Sequence, residues 1–331
     1  MLLTLILFAV GLFILIKGAD LLVSGASALA LRLNIKPIVV GLTVVAFGTS
    51  SPELVVSATS ILSNNTGIAL GNIIGSNIAN ILLVLGISAL ICTLHVSRNT
   101  TLKEIPMSLL GVIAVIVLGM QEIIDIGGGF QLSSVIFDNN LEGFISRADG
   151  FILLLFFSIF VYYTITIAKG VTDGSSEIEK KPLKTSLIFI ILGLFGLTLG
   201  GKLTVDGAIF IARLFGVSDN FIGLTLVAVG TSLPELVTSI VAALRRNVDI
   251  LIGNVIGSNI FNILFVLGIV SVIKPIPLFT ENVFDIVVLF FTTIILFILL
   301  FTYRKHRISK QEGIILIILY ILYIVFIFIR E

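Results

Sequence analysis

The stretch AVGTSLPELVTS (residues 228–239) sets a glutamate inside an apolar segment, directly after a proline, and AFGTSSPELVVS (residues 46–57) does nearly the same much earlier. Both residue types are costly in an apolar helix. A charge at the centre of a membrane costs several kcal/mol unless it is paired or neutralised. A proline removes one backbone donor and one helical hydrogen bond. Two copies of the same costly arrangement in one chain point to a shared use.

The surroundings are those of a membrane protein. Of 331 residues, 57% are hydrophobic and 12% charged, against roughly half and a quarter in soluble domains. The runs MLLTLILFAVGLFILI (1–16), GFILLLFFSIFVYYTITI (150–167) and FDIVVLFFTTIILFILLF (284–301) continue into or form segments long enough to cross a hydrocarbon core of about 30 Å. In lipid such segments satisfy their backbone groups only as helices. Apolar runs between polar breaks predict ten spans: 1–31, 37–63, 68–93, 104–120, 150–169, 184–213, 219–245, 249–272, 283–303 and 312–330. The first lacks a basic leader region and a small-residue cleavage site and is read as a retained span. The lone Cys92 rules out an internal disulfide or a multi-cysteine metal site.

Alternate connections carry most of the basic residues: Arg32 and Lys36; Arg98 and Lys103; Lys169, Lys180, Lys181 and Lys184; Arg245 and Arg246; Arg304, Lys305, Arg307 and Lys310. The opposite side has Arg147, Arg213, Lys274 and Arg330. The positive-inside rule then predicts a multi-pass protein of the cell (plasma) membrane with both termini extracellular. It places the 121–149 insertion outside and the 170–183 linker in the cytoplasm.

A shift of 182 residues lays Gly11 on Gly193, Gly25 on Gly207, Gly41 on Gly223 and Ser76 on Ser258, with roughly half of positions 11–88 identical. Residues 1–120 with span 150–169 form one five-helix half, and 184–331 form the other. Five is odd, so the second copy enters from the opposite face. The expected fold is an all-α polytopic membrane protein of ten transmembrane helices, built as two inverted five-helix repeats. That architecture belongs to secondary transporters, with the site near the midplane between repeats.

Two blocks carry the chemistry. GLTVVAFGTSSPELVVS and GLTLVAVGTSLPELVTS hold Thr49 with Glu53 and Thr231 with Glu235, each pair four residues apart and so on one face of a continuous helix. Pro52 and Pro234 deprive the carbonyls of Gly48 and Gly230 of a helical donor. The expected product is a kinked helix offering carbonyls, hydroxyls (Thr49, Ser50, Thr231, Ser232) and one carboxylate. These are hard oxygen donors suited to Ca²⁺ or Na⁺. GNIIGSNIANILLVLGI and GNVIGSNIFNILFVLGI add Ser76 with Asn80 and Ser258 with Asn262, and Gly71, Gly75 and their repeats would allow close helix approach. Facing carboxylates would give the site a charge of −2, matched to one Ca²⁺ or two Na⁺. Against this, the carboxylates could be structural groups hydrogen-bonded within a bundle, the hydroxyls packing links, and the asparagines ties between helices.

GTSSPEL…GNIIGSNIANI and GTSLPEL…GNVIGSNIFNI resemble the two alpha-repeats of the sodium/calcium exchangers, within the cation/calcium antiporter superfamily, and most nearly their compact prokaryotic members. The resemblance spans the whole ten-helix pattern. It implies an antiporter exchanging Na⁺ for Ca²⁺ by alternating access, with Glu53 and Glu235 as central ligands. Thr49, Ser50, Ser76, Thr231, Ser232 and Ser258 would be further ligands, Asn80 and Asn262 amide members, and the carbonyls of Ala46 and Ala228 would line outer Na⁺ sites. Asn262 departs from relatives with aspartate there, including K⁺-dependent ones. The 121–149 insertion exceeds the compact pattern.

No cofactor is expected beyond the transported Ca²⁺ and Na⁺, the partners are those ions and the lipid bilayer, and nothing points to nucleic acid. A closed ten-helix unit would work as a monomer. The alternative is an H⁺/Ca²⁺ antiporter using the same glutamates, which the wealth of neutral oxygens disfavours. The inverted repeat disfavours a channel. An intramembrane hydrolase lacks a His–Glu metal motif or a Ser/Lys dyad, so no enzyme is expected. Lys17, Asp20, Lys202 and Asp206 read as structural anchors, with Lys202 and Asp206 spaced to pair.

Overall fold

The computed structural model describes residues 2–119, 143–168, 181–214, 228–301 and 306–330. Most of the 121–149 insertion, most of the 170–183 linker and the first part of the expected span 219–245 lie outside them. The described chain is helical apart from two short strand pairs. Helix α1 covers Leu2–Leu33. Helices α2 (Pro37–Thr49) and α3 (Ser51–Leu62) form one apolar unit bent by 41°. Then come α4 (Thr66–Ile91), α5 (Thr100–Gly119), α6 (Arg147–Ile167) and α7 (Leu183–Leu214). In the second half α8 (Ala228–Thr231) and α9 (Leu233–Leu244) repeat the bent unit. The chain closes with α10 (Val248–Ile273), α11 (Thr280–Leu299) and α12 (Lys310–Arg330). Eight helices are long and apolar enough to cross a membrane, nine with the bent pair, among the described residues.

Where the described residues include them, the helix ends lie within a few residues of the predicted span ends, with one instructive shift at α6. It begins at Arg147, not at residue 150, because Ser146 caps it: its hydroxyl accepts from the Asp149 backbone N–H, and the Asp149 carboxylate accepts from the Ser146 backbone N–H at 2.7 Å. Polar residues that look like loop are here a helix start.

Burial separates two kinds of helix. Helices α4 and α10 are 78% buried over their apolar windows, whereas α6 and α12 are 22% buried and turn residues such as Leu155, Tyr162, Leu322 and Ile329 outward. Helices α4 and α10 therefore lie at the centre, together with the buried faces of α3 and α9, while α6 and α12 lie at the periphery.

Packing crosses between the halves. Helices α1 and α7, equivalent under the 182-residue shift, lie against each other and run antiparallel. Gly11 faces Leu203 and Thr204, Gly18 faces Gly196 and Leu197, and Gly25 faces Ser186 and Ile190. Helix α2 packs on α10 of the other half, where a Cβ on Gly253 would come within 2.5 Å of the Ile38 carbonyl and 2.8 Å of the Leu42 nitrogen. Helix α6 packs on α10 through Gly150 and Gly268, and α12 on α4 through Gly86 and Gly313. Among the described residues nothing lies within 4 Å of a Cβ built at Gly71 or Gly75. The close approach expected of this glycine pattern is thus seen at Gly253 and Gly257.

The strand pairs also link the halves. Strand β1 (Leu94–His95) pairs antiparallel with β4 (Arg307–Ile308), and β2 (Gly143–Ile145) with β3 (Ile276–Leu278). Asp20 of α1 forms an ion pair with Arg245 after α9, and Ser27 accepts from Asn247 Nδ2 at 2.7 Å. Asp20 is thus an anchor between halves, joined to a residue that local spacing could not nominate.

Because backbone atoms of α2 leave no space beside Gly253, Gly253→Ala should lower thermal stability by about 1–3 kcal/mol. Gly201→Ala, whose nearest atoms lie at 3.9 Å, should be tolerated. Thermal unfolding of both purified variants in detergent checks this.

Candidate functional site

The bend between α2 and α3 falls on Ser50, whose φ of −87° and ψ of 5° lie outside the helical range. Ser232, at φ −83° and ψ 2°, breaks α8 from α9 in the same way. Each proline sits in the first turn of the helix after the break, where its missing N–H costs no helical bond. This corrects one expectation. Thr49 ends α2 and Glu53 begins α3, so the four-residue spacing does not stack them on one continuous helix. Instead each carboxylate lies in the first turn of a helix, where the aligned backbone dipoles favour negative charge.

Thr49, Ser50 and Glu53 are fully buried, and so are Ser76, Asn80, Glu235, Ser258 and Asn262; Thr231 and Ser232 are 8% and 3% exposed. Most of the side-chain contacts run between halves. Ser50 Oγ donates to Glu235 Oε1 at 2.8 Å, and Ser258 Oγ donates to the same oxygen at 3.4 Å. Thr49 Oγ1 donates to Asn254 Oδ1 at 3.0 Å and lies 3.4 Å from Ser258 Oγ. Thr231 Oγ1 donates to Asn72 Oδ1 at 2.9 Å and lies 3.5 Å from Ser76 Oγ. The Ala46 carbonyl accepts the Ser50 N–H at 2.9 Å and lies 3.3 Å from Thr49 Oγ1. Ala228 opens α8, and the residues before it lie outside the described ones. Glu53 and Glu235 are close enough to act on one another electrostatically.

The asparagines add a second layer. Asn80 Nδ2 donates to Asn259 Oδ1 at 3.1 Å, Asn262 Nδ2 to Asn77 Oδ1 at 3.5 Å, and Asn259 Nδ2 to the Asn77 carbonyl at 3.3 Å. Asn80 and Asn262 both lie in π-helical turns, Asn80–Val84 and Phe261–Val266, a feature frequent at functional sites. Sequence reasoning passed over Asn72, Asn77, Asn254 and Asn259. The signal was available: each is a polar residue kept at the same place in both copies of the motif.

Several of these groups keep a buried atom without a hydrogen-bond partner: both oxygens of Glu53, Oε2 of Glu235, Oδ1 of Asn80 and Asn262, and Oγ of Ser232. Buried polar atoms are rarely left so. Asn77 Nδ2 is also unpartnered, whereas these six are oxygens and can act as cation ligands. Among the described residues no three of His, Cys, Asp and Glu gather into a metal-binding group. The oxygen set is therefore two carboxylates with neutral donors, a hard-cation environment.

Many lipid-facing helices around buried oxygen donors of this kind define a cation transporter. The family described as sodium/calcium exchanger protein matches residues 3–166 and 185–329, and the chain belongs to that family. It is 37% identical over 327 residues to the putative antiporter CaxA of Alkalimonas amylolytica, covering 96% of each chain. It is 31% identical to the sodium/calcium exchanger MaX1 of Methanosarcina acetivorans, covering 98% of each. Its fold matches the solved sodium-calcium exchanger NCX_Mj soaked with Na⁺ and Ca²⁺, with a TM-score of 0.79, 38% identity and 98% of both chains covered. The protein is thus a multi-pass cation/Ca²⁺ antiporter, a transporter by family and fold.

Proposed function

We propose that this protein exchanges Na⁺ for Ca²⁺ by alternating access. The ions bind midway through the membrane between two inverted repeats. The observation that carries the reading is the group of buried, unpartnered oxygens on Glu53, Glu235, Asn80, Asn262 and Ser232, drawn from both repeats. Glu53 and Glu235 are the charged ligands. Thr49, Ser50, Ser76, Thr231, Ser232 and Ser258 supply hydroxyls, Asn80 and Asn262 amide oxygens, and Ala46 and Ala228 backbone carbonyls.

The organisation proposed is ten spans: residues 1–120 and 150–169 as one half, 184–331 as the other, joined by the 170–183 linker. The antiparallel packing of α1 on its equivalent α7 supports inversion. So do the strand pairs: ten alternating crossings put β1 and β4 on the cytoplasmic face and β2 and β3 on the outer face. Both termini are then extracellular and the protein sits in the plasma membrane. A protomer holds every proposed ligand and so works as a monomer.

The mechanism is mutually exclusive occupancy. One Ca²⁺, or several Na⁺, offsets the two carboxylates, and only the neutralised site crosses between facing states. Helices α1 and α7 suit a moving gate because they meet through glycine backbones and carry none of the proposed ligands. Helix α7 also touches both bends, Leu194 against Gly48 and Val205 against Gly230.

Glu235→Gln leaves Ca²⁺ with one carboxylate and one uncompensated charge, worth about 3 kcal/mol at mid-membrane, so apparent Ca²⁺ affinity should fall roughly 100-fold. The check is ⁴⁵Ca²⁺ uptake into Na⁺-loaded proteoliposomes diluted into Na⁺-free buffer. Uptake that ignores internal Na⁺ and follows a proton gradient would assign the coupling to H⁺ instead.

Ca²⁺ at 100 times its dissociation constant should stabilise the purified protein by about 2.7 kcal/mol. Thermal unfolding should show that shift and lose it in Glu53→Gln.

With Cys92 replaced by alanine, Ser175→Cys should react with an impermeant maleimide only from the cytoplasm, and Ser134→Cys only from outside. The reverse pattern would invert the proposed orientation.

A further inference from the structure

We infer that Asn254 is a positioning residue: it takes the hydroxyl proton of Thr49 and so leaves that oxygen turned to accept a cation. The inference rests on the reading of Thr49 as a ligand. Asn254 is not among the proposed ligands, and it is fully buried.

The amide fixes the direction of these hydrogen bonds. Asn254 Nδ2 lies 3.4 Å from the backbone carbonyl of Glu235 and 3.1 Å from Ser239 Oγ. A backbone carbonyl only accepts, so the amide must present its NH₂ there. Its Oδ1 then faces Thr49, and an amide oxygen also only accepts. The threonine must therefore donate, which it does at 3.0 Å. A hydroxyl has one proton. Given to Asn254, it is withheld from the Ala46 carbonyl at 3.3 Å. Both the Thr49 hydroxyl oxygen and the Ala46 carbonyl are then left as acceptors for a cation.

The amide contacts have counterparts in the other half. Asn72 Nδ2 donates to the Glu53 carbonyl at 3.3 Å and to Ser57 Oγ at 3.0 Å, and Thr231 donates to Asn72 Oδ1 at 2.9 Å. Each asparagine thus ties the carboxylate-bearing helix of its own half to the threonine of the opposite half. Asn254 reads a fixed carbonyl on one side and fixes the polarity of a hydroxyl on the other.

The consequence is selective. Ca²⁺ is held chiefly by the two carboxylates, whereas Na⁺ depends more on neutral oxygens. Losing the orientation of Thr49 should therefore weaken Na⁺ more than Ca²⁺. A general packing defect would weaken both.

The test measures Na⁺ and Ca²⁺ half-saturation of exchange in proteoliposomes for Asn254→Leu, Thr49→Val, the double variant and Asn254→Asp. Asn254→Leu should raise the Na⁺ value about tenfold, the size of one hydrogen bond, and change the Ca²⁺ value less than about threefold. Thr49→Val should do the same, and the double variant should be no worse than either single one, because both remove one interaction. Asn254→Asp keeps an acceptor oxygen against Thr49 and should stay near the parent Na⁺ value; it decides the matter if Asn254→Leu does not fold. The inference is overturned if Asn254→Leu leaves the Na⁺ value unchanged, if its effect multiplies with that of Thr49→Val, or if Asn254→Asp is as impaired as Asn254→Leu is expected to be. No Na⁺ effect in Thr49→Val would overturn the ligand reading, and the inference with it. An effect in Thr49→Val but none in Asn254→Leu would overturn the inference alone.

Discussion

Two carboxylates buried where water does not reach are the constraint around which this chain is arranged. Glu53 and Glu235 are both fully buried and near enough to repel each other when charged. Apolar packing alone cannot hold such a pair, because a membrane interior does not solvate charge. The local backbone meets part of the need. Breaking the helix at Ser50 and at Ser232 starts a new helix just before each acid, so backbone dipoles point at it. Hydroxyls meet another part, as at Glu235, where Ser50 and Ser258 donate to one oxygen. What remains unmet is left to the cation in the proposed site, cations being the cargo of the antiporter family to which the chain belongs.

The same requirement explains why the halves interlock. The proposed site draws on both helix bends and so needs them at one point; α2 lies on α10 of the opposite half, and the short α8 on α4. Glycine permits the approach: at Gly253 and Gly257 backbone of α2 occupies the space a side chain would need. The outer helices repeat the exchange, α6 on α10 and α12 on α4, and each strand pair joins a connection of one half to one of the other. The centre is therefore shared, and neither half contains all of the proposed ligands.

Much of this was legible in the chain. Apolar length gives helices because lipid leaves the backbone no alternative, and the shift that lays Glu53 on Glu235 also lays Ser76 on Ser258. Sequence is weaker where a contact is long-range or where a polar residue serves local structure. The Thr49–Glu53 spacing suggests one helical face, yet Thr49 meets Asn254 and Ser50 meets Glu235, both far along the chain. Asp149 looks like loop until its capping bonds are seen, and Asp20 meets Arg245 from the other half. Asn72 and Asn254 were hidden among motif residues because an amide reads equally as a ligand or as a tie. Only the direction of each hydrogen bond separates the roles.

That direction is also where the two halves cease to match. Thr49, Ser50, Glu53, Ser76 and Asn80 have identical residues at the equivalent positions of the second half. Glu235 nonetheless receives two hydroxyls, while both Glu53 oxygens and the Ser232 hydroxyl have no hydrogen-bond partner. Equal chemistry in unequal surroundings means that these five residues do not by themselves choose which carboxylate is bound by serine. An arrangement with the roles exchanged, Ser232 on Glu53, is built from the same residue types at equivalent positions. On the proposed mechanism this is what alternating access requires of its site. Two states of similar composition can lie close in free energy, and the ions bound between them can then decide which is populated.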